Sequence, residues 1–382
     1  MSTFITKAAS RPFRVCVVGS GNWGTTVAKI VCENTQIYTD LFEPKVNMWV
    51  HEEEIDGRKL TEIINTEHEN VKYLPGIRLP GNLHAVPNLL DAVRDSNIIV
   101  FNIPHQFLRS VCAQLKGYVH PHTRAISCLK GLDVSANKIT TLPAYISEHL
   151  GIHCGALSGA NLAPEIAQEK FSETTVAYRY PSTQEWKPED ESQDVTKDDL
   201  RKLFHRPYFH VNVIDDITGV CLAGALKNVV AIAAGFVDGR GWGENAKAAI
   251  MRRGLLEMVQ FGQTFFKGGD PRTYTEESAG VADLITSCAG GRNHRVGRAY
   301  GKLTKEDPTI TKTLQDLERE LLNGQSAQGI LTAVEVYKFL KTQDALEQFP
   351  LMTATYRIAF EGESIDELPK ILEQVEKKKY KL

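Results

Sequence analysis

The sequence predicts an α/β protein, with a doubly wound parallel sheet followed by a second domain made only of helices. Three observations lead there: short β-branched runs alternate with helical patterns in the first half, a glycine-rich turn follows the first run, and strand signals cease after Asp215. The length agrees, since 382 residues at about 150 per domain make roughly two to three domains, each able to bury a core.

Taken in order, residues 14–18, 46–50, 98–103 and 125–129 are near-continuous apolar runs of strand length, which suits a sheet covered on both faces. Helical spacing between them predicts helices over 25–32, 53–64, 106–115 and 138–149. Further strands are expected at 154–158, 174–180 and 208–213, so the sheet should exceed six strands. Residues 181–199, acidic and carrying Pro188, read as a surface excursion. Helices are then expected at 217–237, 312–322, 332–340 and 364–375, with the domain boundary between Val213 and Asp216: a first domain of 1–213 and a second of 214–382.

Composition excludes several function classes. Lys and Arg total 44 against 47 Asp and Glu, a net charge of -3, so neither nucleic acid nor an anionic membrane is attracted in bulk. Any anionic ligand must be caught locally. The seven cysteines show neither Cys-x-x-Cys nor Cys/His metal spacing and read as reduced thiols of a cytoplasmic protein with no metal site. The first 13 residues lack the apolar stretch of a secretory signal. Residues 217–237 are apolar enough to raise a transmembrane question, but Lys227 at their centre would cost about 2.5 to 3.5 kcal/mol in a bilayer. A buried core helix is expected there, and no membrane.

The turn Gly19-Ser20-Gly21-Asn22-Trp23-Gly24 joins a strand to a helix. In a dinucleotide fingerprint the first glycine makes the turn, the second admits a pyrophosphate and the third lets helix and strand pack closely. The helix N-terminus then offers amides and partial positive charge to the phosphates. Past the second strand, His51-Glu52-Glu53-Glu54 places carboxylates where NADP would carry a 2′-phosphate, so NAD is preferred; Arg58, a little further on, leaves the choice open.

In the helix over 217–237, Gly219, Ala223, Lys227, Ala231 and Ala234 share a face of small residues bearing one amine. Such a lysine can exchange protons with a substrate oxygen, and Asn228, about 100° round the helix, can reach the same small molecule. The rival reading is tight helix packing with Lys227 snorkelling outward. Asp283 and Ser287 share a face if their stretch is helical, Gly290-Gly291 ends it, and Arg292-Asn293 follows on a turn. Arg292, beside the glycines, is the candidate phosphate fork, while Arg295 and Arg298 read equally well as a solvated face.

These residues sit in longer stretches, VGSGNWGTTVAKI, KLTEIINTEHENVKYLPG, PHQFL, CLKGLD, SGANLAPEIAQEKFSETT, GALKNVVAIAAGF, GVADLITSCAGGRN and LLNGQSAQG, in order from residue 18 to 329. Together they resemble the NAD-dependent glycerol-3-phosphate dehydrogenase family in its eukaryotic cytosolic form. The resemblance implies a Rossmann-type N-domain with an all-helical C-domain of the 6-phosphogluconate dehydrogenase-like kind, and reversible hydride transfer between NADH and dihydroxyacetone phosphate. It implies Lys227 as general acid, Lys130 as a second substrate lysine, Asp283 as an acidic partner that positions the active-site lysine, and Arg292-Asn293 as phosphate clamp. Asn161, Asn228 and Ser287 are implied at the substrate, with Phe107, Ala163, Arg292 and Gln328 joining residues 19–24 at the cofactor. A cytoplasmic homodimer is implied as well. His51 departs from the usual Phe, and Ser287 keeps the hydroxyl of a usual Thr. The rival functions are a β-hydroxyacid dehydrogenase of the same two-domain type and a non-catalytic NADH sensor.

Overall fold

In the computed structural model, which describes residues 12–135, 138–181, 194–267, 269–307, 309, 311–322 and 324–373, eight strands form one sheet. They are β1 (Phe13–Val18), β2 (Phe42–Trp49), β3 (Leu83–Val86), β4 (Ile98–Phe101), β5 (Arg124–Ser127), β6 (His153–Ser158), β7 (Ser172–Ala177) and β8 (Phe209–Ile214). Their order is β3-β2-β1-β4-β5-β6-β7-β8, and every neighbouring pair is parallel except β6 with β7. The first six strands therefore have the order of a Rossmann sheet, in which strands are added to one side of β1 and then, from β4, to the other.

Alternation along β1 assigns the two faces. Val15 and Val17 pack with Val27, Ile30 and Val31 of α1 (Asn22–Ile37), while Cys16 and Val18 face α3 (Leu89–Val93), α4 (Leu108–Leu115) and α5 (Leu142–Leu150). Two expected helices start later than their apolar spacing suggested. Residues 53–64 begin as a small hairpin, Glu54–Ile55 against Arg58–Lys59, because Asp56 and Gly57 both take left-handed φ (50° and 78°), as a tight Asp-Gly turn requires; only then does α2 (Leu60–Glu67) form. Residues 138–149 likewise begin as a strand: Lys138–Thr141, rich in β-branched side chains, pairs with Leu132–Ser135, and α5 starts where Pro143 suits a first helical turn. Residues 106–115 open with a 3-10 turn, His105–Phe107, ahead of α4.

The surface-loop reading of 181–199 needs correction at its end, and residues 182–193 lie outside the described ones. Asp194 is buried and forks onto Arg124 of β5 at 2.7 and 2.8 Å, and Thr196 caps α7 (Lys197–Phe204) with a capping box. Helix α6 (Ala163–Ala167) packs on α1, and Glu169 just after it pairs with Lys29 of α1 at 2.9 Å.

Beyond Ile214 the described residues are helical. The helices are α8 (Ile217–Arg240), α9 (Glu244–Phe265), α10 (Pro271–Thr275), α11 (Asp283–Gly290), α12 (Arg292–Glu306), α13 (Leu314–Leu321), α14 (Gly329–Thr342) and α15 (Pro350–Phe360). The last expected helix opens as a 3-10 turn, Ile365–Glu367, and is helical through residue 373. Helix α8 is, among the described residues, the one helix long and apolar enough to cross a membrane, and its apolar stretch is wholly buried inside the protein as a central core helix. Leu132 and Ile139, from the hairpin that follows β5, belong to that same helical core, so the hairpin ties the sheet to the helices.

Candidate active site

The glycine turn lies where β1 and β4 diverge. At Gly19 φ is +115°, and a Cβ there would sit 2.8 Å from the Asn102 carbonyl oxygen; a Cβ on Gly24 would sit 2.2 Å from the Gly19 oxygen. These two glycines are demanded by the protein's own packing. Gly21 differs, because a Cβ there would meet no protein atom within 4 Å. It leaves bare backbone at the N-terminus of α1, a helix with no side-chain cap and no acidic residue in its first turn. A pyrophosphate fits that cradle. The loop is pinned through the Ser20 carbonyl, which accepts from Thr25 Oγ1 and Asn70 Nδ2, both at 2.9 Å. Asn22 Oδ1 accepts from the Trp23 amide, and the Trp23 ring packs edge-on against Phe209.

Beyond β2, the Glu52 carboxylate accepts from Thr61 Oγ1 at 2.6 Å and Glu53 accepts from Tyr73 at 2.6 Å. Arg58 pairs at the surface with Glu62 and Glu67, which partly neutralise its charge. His51 is exposed. Of the other cofactor candidates, Phe107 is 54% exposed on its 3-10 turn and Ala163 opens α6 with its carbonyl accepting from Thr26 of α1 at 3.3 Å. Gln328 stands at the N-cap of α14.

The second cluster joins three segments that are distant in sequence. Lys227 Nζ donates to Asp283 Oδ1 at 2.5 Å and to Ser287 Oγ at 2.6 Å, and Lys130 Nζ donates to Asp283 Oδ2 at 2.7 Å and to the Gly159 carbonyl at 3.5 Å. Each oxygen of one buried carboxylate thus holds one lysine. Asp283 and Ser287 share a face of α11, as their spacing of four predicts, and a wide π-helical turn, Ser278–Ala282, leads into them. Gly131, at φ +136°, lets the chain leave Lys130 at once for the hairpin. Lys227 does not snorkel; its side chain is 5% exposed, against 31% for Lys130. Burial pulls the Lys227 pKa down to about 7, Asp283 opposes the shift, and the charge of Lys130 adds to it. An ammonium has three donors, and two are engaged here.

Helix α12 begins directly at Arg292, not after a turn, with Gly291 as its N-cap. Asn293 Nδ2 donates to Asn228 Oδ1 at 2.9 Å and its Oδ1 accepts the Gly329 amide at 2.8 Å, so both asparagines bind the frame of the site together. Arg292 reaches the surface and makes no hydrogen bond or ion pair with another described residue, yet partial burial lowers its pKa, with the charge of Glu318 opposing. Arg295 turns to the Leu321 carbonyl at 3.1 Å. Asn161 is not brought to the lysines by its side chain, which bonds Thr174 Oγ1 and the Glu173 carbonyl, both at 2.9 Å, and fastens the loop to β7. The small-residue face on α8 also resolves differently. The close helix contacts are made by Gly235 and Gly239, whose Cβ atoms would each lie 2.4 Å from α12 carbonyl oxygens; both continue the four-residue spacing of the Lys227 row, so the tight packing falls two and three turns beyond the lysine. No group of three or more metal-ligating side chains occurs among the described residues.

Comparison with known proteins gives one answer across the chain. Residues 14–184 match the family model of the NAD-dependent glycerol-3-phosphate dehydrogenase N-terminus, and residues 216–370 match that of its C-terminus. A glycerol-3-phosphate dehydrogenase (NAD+) from Yarrowia lipolytica is 59% identical over 365 residues, covering 96% of this chain and 89% of the relative. One from Saccharomyces cerevisiae is 56% identical over 370 residues, covering 97% and 92%. A solved glycerol-3-phosphate dehydrogenase from the same yeast superposes with a TM-score of 0.89 at 56% identity, covering 95% of this chain and 100% of that one. A Plasmodium falciparum structure of the same enzyme name gives 0.84 at 37%, covering 94% and 95%. With both halves matched and identity well above half along nearly its whole length, the chain belongs to the family of NAD-dependent glycerol-3-phosphate dehydrogenases.

Proposed function

We propose that Lys227 is the proton donor in the reaction that membership of this family assigns to the chain, the reversible NAD-dependent reduction of dihydroxyacetone phosphate to sn-glycerol 3-phosphate. The observation that carries the proposal is a buried ammonium with two donors engaged on Asp283 and Ser287, one donor left, and a pKa drawn down to about 7. NADH, when bound, supplies the hydride. The turn over residues 19–24 would hold it together with Phe107, Ala163, Arg292 and Gln328.

Reduction of a ketone places negative charge on its oxygen. Lys227 and Lys130, fixed in advance by one carboxylate, offer positive charge there without reorganising, and Lys227 then yields its proton. Ser287 and Asp283 keep the donating nitrogen aimed. Arg292 and the α12 amides would hold the phosphate, so that the reacting carbon is oriented from a distance.

The test is loss of reduced-nicotinamide absorbance on adding dihydroxyacetone phosphate. Lys227→Met is expected to lower kcat by roughly a hundredfold or more while NADH affinity stays within about twofold. Undiminished turnover in that variant refutes the assignment to Lys227. Turnover of a hydroxy carboxylic acid in place of the phosphorylated ketone would mark the β-hydroxyacid dehydrogenase reading, and NADH binding with no turnover of either would mark the sensor.

Cytoplasmic residence and a homodimer belong to the same proposal. The seven cysteines are free and buried, which suits a reducing compartment. The dimer is supported by family kinship; sedimentation velocity and cell fractionation test the two points.

A further inference from the structure

Behind the first turn of α12 lies a charged cluster with no part in the reaction as described so far. His294 immediately follows Asn293 and is 4% exposed. Its Nε2 lies 2.7 Å from Asp238 Oδ2 on α8, and Lys247 Nζ of α9 reaches the same oxygen at 3.2 Å. The other ring nitrogen, Nδ1, is buried without a hydrogen-bond partner among the described residues. Asp238 is therefore the single polar tie that orients the imidazole.

The ring sits at a mechanically sensitive point. The His294 carbonyl oxygen would be 2.4 Å from a Cβ on Gly235, so α12 presses backbone to backbone on α8 at this residue. One residue earlier, Asn293 is bonded to Asn228 and to the Gly329 amide, and two earlier stands Arg292, whose guanidinium feels the charge of Glu318 but makes no hydrogen bond or ion pair with a described residue. Asparagine ties fix the turn toward α14, but sliding or rolling of α12 along α8 is opposed by the side-chain bond from His294 to Asp238. An arginine fork recognises phosphate only within narrow limits of position.

We infer that His294, anchored by Asp238, is a positioning residue that sets the Arg292 end of α12 for the substrate's phosphate. The inference rests on the reading of Arg292 as a phosphate ligand and adds a part of this chain that acts through it. Its signature is a change in phosphate preference, because the Lys227 ammonium keeps its own bonds to Asp283 and Ser287 of α11.

The experiment compares dihydroxyacetone phosphate with dihydroxyacetone, with calorimetric binding of sn-glycerol 3-phosphate as a second readout. In His294→Leu, which fills the space without a donor, the ratio of kcat/KM for the two substrates is expected to fall at least about fivefold, through KM for the phosphorylated one, with a matching loss of glycerol 3-phosphate affinity. His294→Gln, whose amide can still donate to Asp238, is expected to recover most of the ratio. An unchanged ratio in His294→Leu, whether both activities fall together or neither falls, overturns the inference. So does a ratio that stays low in a folded His294→Gln. If His294→Leu melts well below the parent enzyme, Asp238→Leu carries the same test from the other end of the bond, since it leaves no acceptor for the imidazole. A parent enzyme showing no preference for the phosphorylated substrate would refute the Arg292 reading before any variant is measured, which keeps the two failures distinct.

Discussion

The pKa of Lys227 is set by its burial and by the charges of Asp283 and Lys130 beside it. Burial draws the Lys227 pKa down to about 7, and ketone reduction needs its ammonium form. The sign follows: kcat/KM for reduction is expected to fall about tenfold per pH unit above that point, while glycerol 3-phosphate oxidation rises and levels off. Lys130→Ala removes a positive neighbour and should move the break to higher pH; Asp283→Asn removes the opposing carboxylate and should move it to lower pH. Profiles of the three proteins check both directions. The glycine turn makes an equally sharp contrast. Gly24→Ala drives a methyl into the Gly19 carbonyl and is expected to cost about 1 to 3 kcal/mol of stability, whereas Gly21→Ala meets no protein atom. Gly21→Ala should leave the melting temperature nearly unchanged and weaken NADH binding, as read by fluorescence titration and thermal melts.

Among the elements, the pairing of α8 with α12 decides the geometry of the second half. Gly235 and Gly239 on one helix face Gly297 and Gly301 on the other, and Cβ atoms added at these positions would lie 2.4 to 2.7 Å from the opposing backbone. Gly235→Val should therefore cost about 1 to 3 kcal/mol in denaturant unfolding and raise KM for the phosphorylated substrate, since it pushes away the helix that begins at Arg292. The sequence shows these glycines, but it does not show that they meet one another. Its stripe of Gly219, Ala223, Ala231 and Ala234 has the same small-residue composition, and helical spacing alone gives every face of α8 an apolar character. Hairpins were legible in principle. The Asp56-Gly57 turn is a hairpin signal that the helical spacing of the following residues overrode.

At the scale of the whole molecule, the seam between sheet and helices is where charge is sensitive to assembly. The hairpin after Lys130 buries Leu132 and Ile139 in the helical core, while its Asp133 pairs with Arg109 of α4 at 2.7 Å. Across a cavity of about 220 Å³, Glu335 of α14 faces that pair. Burial, reinforced by Asp133, raises the Glu335 pKa to about 7, with Lys338 opposing. Its native value stands above the ordinary carboxylate value, so the folded protein holds a proton that the unfolded chain has lost, and stability declines as pH rises from the ordinary value to about 7. Glu335→Gln is expected to stabilise the protein by on the order of 2 kcal/mol near pH 8 and to change little near pH 4, as measured by thermal unfolding. The Arg124–Asp194 fork is a contrasting case: both side chains are 1% exposed, so Asp194→Ala leaves a buried guanidinium short of its partner, at a cost of about 3 to 5 kcal/mol.

By itself the sequence determined the alternating strands and helices of the sheet, the dinucleotide turn, the preference for NAD and the helix carrying Lys227. All of these follow from local periodicity, from glycines at fixed offsets or from the charge of neighbouring residues. It also placed Asp283 and Ser287 on one face, because four residues make about one helical turn. Only the tertiary structure decided that Lys130 and Lys227, almost a hundred residues apart, divide the two oxygens of Asp283, and that Asn161 fastens a loop. It likewise revealed the buried partners Arg124 with Asp194 and His294 with Asp238. The physical reason is that a side chain's chemistry depends on its distance from charges and on its removal from water, and both are fixed by which elements pack together.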